Sequence, residues 1–159
     1  MNDMSIFFFN HLQSSADGLV WAAHQLRSDR WLLTPPLQLG EWSAARHLFH
    51  MAYYEETIAL PSMRQWLGDP VPDLEGVDDD QAWDELADRS IQALELRFQA
   101  VRQAQIDLLA QFDATAWERP LPTVWAPLPL RWVVGKTFQH TAEHTNAVMK
   151  LALNWDAFK

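Results

Sequence analysis

The sequence predicts an all-α protein, a four-helix bundle forming a single domain over residues 1–159. Three observations carry this prediction. Apolar residues recur at steps of three and four along four long segments, the period of one helix face. Proline clusters fall between those segments rather than inside them. No stretch shows the strict polar–apolar alternation of a half-buried strand.

The first helix is expected from about Asp3 to Ser28, with Ile6, Phe9, Leu12, Ala16, Leu19, Ala23 and Leu26 forming its buried stripe. Asp29–Gly40 reads as a loop, because Pro35 and Pro36 cannot continue a helix. The second helix starts at Ser43, a good N-cap, and runs through Leu48, Met51, Ala52 and Ile58 to a stop near Pro61. The following LGDPVPDLEGVDDD has the chemistry of a loop. Asp78, Asp79 and Asp80 end it as caps for a third helix running to about Phe112, with Trp83, Leu86, Leu94, Phe98, Val101, Leu108 and Leu109 facing inward. In residues 113–129 four prolines alternate with Trp117 and Trp125, which predicts an irregular aromatic cover with a short extended piece. There Trp117 and Trp125 are expected at a cavity mouth or an interface. The fourth helix spans about Leu130 to Asn154. Trp21, Trp83 and Trp132 lie on helical segments and are expected in the core. The long connections between helices two and three, and three and four, permit crossovers and leave the topology open.

Twelve basic against 21 acidic residues give a formal charge of −9, and no Lys/Arg cluster offsets it. Such a field repels phosphates, so neither nucleic acid nor an anionic membrane surface is an expected partner. The absence of cysteine removes disulfides, thiolate ligands and a cysteine nucleophile together. The run Ile6–Phe9 has no basic residue before it and is too short for a signal core or a membrane span. The expected location is therefore cytoplasmic.

FQHTAEHTNAVMKL, from Phe138 to Leu151, holds His140 and His144 four residues apart. On a helix this spacing stacks two imidazoles on one face. Two such nitrogens suit a first-row metal, and a third ligand must come from another helix. The second helix offers His47 and His50, three apart; either can meet the pair, or the histidines can simply fill a core. HTAEH also matches the His-x-x-Glu-His string of inverted zinc proteases, in which Glu143 would be a general base. Only 15 residues follow His144, so no distant downstream ligand is expected, and Glu143 is read as a solvated residue or an orienter of a neighbouring group. Tyr54, one turn beyond His50, is a candidate substrate hydrogen-bond donor or a bundle tyrosine with a wet tip. His11 and His24 fit no cluster.

Residues 42–55 read WSAARHLFHMAYYE. Trp42, Ser43, His50 and Glu55 resemble the second-helix signature of the DinB superfamily, and His140 and His144 resemble the histidine pair on that family's last helix. The resemblance implies a four-helix bundle in an up-down-down-up arrangement, often a homodimer. It implies a divalent metal (Zn, Ni or Fe) held by His50, His140 and His144, with His47 in support. It further implies a metal-dependent enzyme acting on a small-molecule substrate, either an S-transferase using a low-molecular-weight thiol or a metal-assisted hydrolase. Without cysteine in the chain, any reacting sulfur must come from outside. The alternative is a non-catalytic small-ligand-binding or stress-associated bundle whose histidines are structural.

Overall fold

In the computed structural model, which describes residues 1–158, the chain is predominantly helical. The long helices are α1 (Asp3–His24), α2 (Ala44–Tyr54), α5 (Ile91–Leu108) and α6 (Leu130–Asn154). The short α3 (Leu60–Arg64) follows α2, and α4 (Asp79–Asp84) precedes α5. Helix α1 packs against α5 and α6, and α2 packs against the same two.

The expected start of α2 is observed: the Ser43 hydroxyl accepts a hydrogen bond from the amide of Arg46 at 3.1 Å. Its end is not. After Tyr54 a π-helical turn, Glu55–Ala59, leads into α3. Pro61 lies in the first turn of α3, where a missing N–H costs little, so helical structure continues past it. Within the wide turn Glu55 is completely buried.

The predicted third helix is two helices. Asp78 caps α4, accepting from the amide of Gln81. Arg89 then donates to the carbonyls of Trp83 and Asp84, satisfying the end of α4. Asp88 accepts from the amide of Ser90, whose hydroxyl accepts from the amide of Ala93 and opens α5. These local side-chain bonds compete with a continuous helix through residues 85–90. Replacing Ser90 by alanine is expected to cost about 1 kcal/mol in urea unfolding, with little change in helical content.

The cover over residues 113–129 contains a hairpin: β1 (Pro120–Pro122) pairs antiparallel with β2 (Pro127–Pro129), Leu121 facing Leu128. A two-stranded ribbon has only edges, which is where proline is tolerated. Trp117 does not line a cavity mouth. It is 1% exposed, stacked on Phe8 with ring centroids 5.1 Å apart. That partner also selects the register of α1: Phe8 is buried while Ile6 and Phe9 are exposed, so the stripe runs Phe8, Leu12, Ala16, Leu19, Ala23. Trp21 and Trp132 are exposed rather than in the core. Trp21 lies off the stripe of α1, and Trp132 packs on Trp125 of the hairpin loop, centroids 5.2 Å apart.

The apolar core forms two clusters. One is built on Leu19, Leu48, Phe49, Leu94, Phe98 and Val148, the other on Phe8, Met63, Ile106, Phe112, Trp117 and Val134. A polar layer lies at the registers between them. There Arg102 of α5, 2% exposed, pairs with Glu55 and also donates to the Leu12 carbonyl, the Ser15 hydroxyl and the Thr141 hydroxyl. Gln105 donates to the same carboxylate. This single guanidinium thus bridges α1, α5, α6 and the π turn.

Candidate metal centre

The Ser43 cap sets the phase of α2, and that phase turns His47 and His50 toward α6. Helix α6 presents His140 and His144 one turn apart on its facing side. Nε2 of His50 is 3.3 Å from Nε2 of His140, which is 3.1 Å from Nε2 of His144. One ligand nitrogen from each of the three rings lies within 4.8 Å of the others. Two nitrogens bound to one ion at about 2.0–2.1 Å and separated by about 90–110° stand ~2.9–3.4 Å apart. The spacing of the two closest pairs fits shared coordination.

The outer nitrogens complete the arrangement. His50 Nδ1 is 3.0 Å from Oδ2 of Asp79, which also accepts from Arg46 Nη2 at 2.5 Å. With the proton on Nδ1, His50 donates to that carboxylate and keeps Nε2 as a lone-pair donor toward the centre. His144 Nδ1 is 2.8 Å from His47 Nδ1; a proton on the former leaves the inner Nε2 of His144 free as well. His140 Nδ1 is buried with no hydrogen-bond partner among the described residues. The ring of His140 is held instead edge-on to Tyr54, centroids 4.5 Å apart. Trp42 covers the cluster, its ring 4.9 Å from that of His50 and 6.0 Å from that of His144.

Electrostatics hold His47, His140 and His144 in the neutral form. Burial, then the charges of His50 and Arg46, lowers His47 to about 4. Burial, then His50 and Lys136, lowers His140 to about 4. Burial, then His47, His50 and His140, lowers His144 to about 2. Desolvation works against the Asp79 carboxylate, but the hydrogen bonds and charges of Arg46 and His50 outweigh it and hold Asp79 below its usual range. Burial, with the neighbouring Glu55 charge, pushes the Tyr54 hydroxyl up, so it remains a donor at neutral pH.

A pH dependence follows for the metal-free protein. In the unfolded chain these imidazoles take up protons near 6.5, whereas in the fold they wait until about 4 or about 2. Between those limits the unfolded chain binds more protons, so stability is full above pH 6.5 and falls as pH drops toward 4. After discounting for the rings' partial exposure, the expected loss between pH ~7 and ~5 is on the order of 3 kcal/mol. Urea titrations of chelator-treated protein at the two pH values measure it.

The structure thus brings together His47, His50, His140, His144 and Tyr54. Glu143 stays apart: it is exposed and accepts a hydrogen bond from Gln139. Glu55 is bonded to Arg102 and Gln105 instead of facing the histidines. His24 pairs with Glu95 at 2.6 Å, and His11 packs between Phe7 and Phe138. Asp79 and Arg46 are the residues that sequence reasoning missed. Asp79 reads as one of three equivalent caps, and no spacing rule joins it to a histidine 29 positions away.

None of the described helices is long and apolar enough to cross a membrane. A comparison with curated proteins finds no match, and a comparison with solved structures finds none either. The family model of the DinB superfamily, however, matches residues 11–148, which include both histidine pairs, and the chain belongs to that superfamily.

Proposed function

We propose that this protein is a divalent-metal-dependent enzyme whose ion is held by His50, His140 and His144. In this reading it transfers a low-molecular-weight thiol to a small electrophilic substrate; metal-assisted hydrolysis is the neighbouring chemistry. The observation that carries the reading is the convergence of three imidazole nitrogens, with Asp79 and His47 engaging the outer nitrogens of two of the rings. Imidazole donors suit Zn, Ni and Fe. A bound divalent ion supplies Lewis acidity, lowering the pKa of a thiol or water toward neutrality.

The protein's own part is positioning. Asp79 fixes the tautomer and tilt of His50, and His47 does the same for His144. Trp42 restricts water over the cluster. The Tyr54 hydroxyl, kept protonated by burial, faces the Thr137 side chain, and its ring holds His140 edge-on. The full proposal includes the up-down-down-up bundle of the superfamily, and a homodimer supported by the exposed Phe7, Phe9, Trp21 and Trp132.

The test is a panel of thiols, with glutathione, bacillithiol and mycothiol each paired with aryl halide and epoxide electrophiles. Conjugation is expected to depend on added Zn, Ni or Fe and to stop on chelation. Absence of metal-dependent turnover, with ligand binding that survives chelation, would instead assign a non-catalytic binding bundle.

A further inference from the structure

Two of the three proposed ligands have a partner for the outer ring nitrogen: His50 has Asp79, and His144 has His47. The outer nitrogen of His140 is different. Its Nδ1 is buried and makes no hydrogen bond among the described residues. Once Nε2 is given to an ion, Nδ1 carries the proton and becomes a donor that needs an acceptor. A buried donor left unmet is costly.

Two more unmet polar atoms lie around this ring. Tyr54 ends α2, and its ring stands perpendicular to that of His140 with centroids 4.5 Å apart. Its hydroxyl faces the Thr137 side chain, yet no hydrogen bond of ordinary geometry joins the two. Both hydroxyl oxygens are buried and unpartnered among the described residues. Thr137 precedes His140 by three positions on α6, so the two side chains share a helix face. Each pair among the three residues is therefore adjacent: Tyr54 with His140, Tyr54 with Thr137, and Thr137 with His140. Glu55, the carboxylate whose charge reaches Tyr54, is taken up by Arg102 and Gln105 and does not serve as the acceptor. One imidazole N–H and two hydroxyls that face each other without bonding suit a single bridging water. A buried water commonly makes about three hydrogen bonds to such atoms.

We propose that one buried water joins His140 Nδ1 to the Tyr54 and Thr137 hydroxyls, making Tyr54 and Thr137 positioning residues for the third metal ligand. The water accepts from Nδ1–H and donates to the two hydroxyl oxygens. His140 thereby gains the outer partner that Asp79 and His47 give the other two rings, which fixes its tautomer and tilt. The proposal deepens the metal reading above and rests on it for the word ligand, whereas the water itself is testable without metal.

The test pairs a crystal structure of chelator-treated protein with zinc affinity measured by chelator competition. A water is expected about 2.7–3.2 Å from all three atoms. Tyr54→Phe and Thr137→Val are each expected to weaken zinc about tenfold, the lower end of the cost of losing an outer partner, and Thr137→Ser to keep wild-type affinity. In zinc-loaded protein labelled with ¹⁵N-histidine, Tyr54→Phe and Thr137→Val should move the Nδ1–H signal of His140 and leave those of His50 and His144 in place. A role in packing alone would not give that selectivity or the rescue by serine. No water on the three atoms overturns the bridge, and should a variant fail to fold, the wild-type crystal structure still decides. Zinc bound by the wild type and equally by Tyr54→Phe and Thr137→Val overturns the positioning role and leaves the metal reading intact. The water present in a protein that binds no zinc keeps the bridge and ends the metal reading.

Discussion

Replacing His140 and His144 together by alanine is expected to strip the protein of divalent metal while leaving its helices intact. Both rings supply nitrogens to the proposed centre, and they stand one turn apart on α6, so the double change removes two ligands of three. Affinity should fall by more than about a hundredfold, exceeding what loss of an outer-shell partner alone costs. Protein purified without an affinity tag and analysed for metal makes the comparison clean. Asp79→Asn is the graded companion. It keeps the shape but weakens the acceptor that orients His50, and about a 10–100-fold loss is expected. Circular dichroism should be unchanged in both variants, because neither the two histidines nor Asp79 supply apolar core residues. Equal metal in the wild type and the double variant would end the proposal.

The second large effect concerns stability. Arg102→Met is expected to destabilise the protein by about 3–5 kcal/mol, and Glu55→Leu by a similar amount, because each leaves its partner buried without the group that offsets its desolvation. For a chain of this size that is a drop in melting temperature of roughly 10 °C or more. The double variant should lose far less than the two single losses added together, since no uncompensated charge remains. Gln105 would still lack its acceptor, and the Leu12 carbonyl and Ser15 hydroxyl would keep only the bond between them, so full recovery is not expected. A urea-denaturation cycle over the four proteins measures the coupling. Additive losses would show that the pair contributes no mutual stabilisation and that the polar layer is only a tolerated burial.

Metal content and stability probe different parts of one design. The Arg102 layer fixes the spacing and rotation of α1, α5, α6 and the π turn. The histidine cluster then needs only α2 and α6 in phase. His140 lies beside Thr141, whose hydroxyl accepts from Arg102 and donates to the Thr137 carbonyl. The Arg102 variants are therefore also expected to loosen the centre where they leave the protein folded.

The amino-acid sequence by itself determined the all-helical class, the Ser43 cap, the position of α6 and the i, i+4 stacking of His140 and His144. These are local matters: 3.6-residue periodicity, capping chemistry and helix geometry act within a few residues. The resemblance to the DinB superfamily singled out His50 over His47, which spacing alone left open. Tertiary structure decided the rest. Which of four consecutive apolar residues at the start of α1 is buried depended on Trp117, more than a hundred residues later. Whether residues 78–112 make one helix or two depended on the competition between Arg89, Asp88 and Ser90 and the helix backbone. The role of Asp79 was hidden for the same kind of reason. A carboxylate at a helix start serves equally as a cap or as the anchor of a distant imidazole, and only the packing of α4 against α2 brings that imidazole within reach.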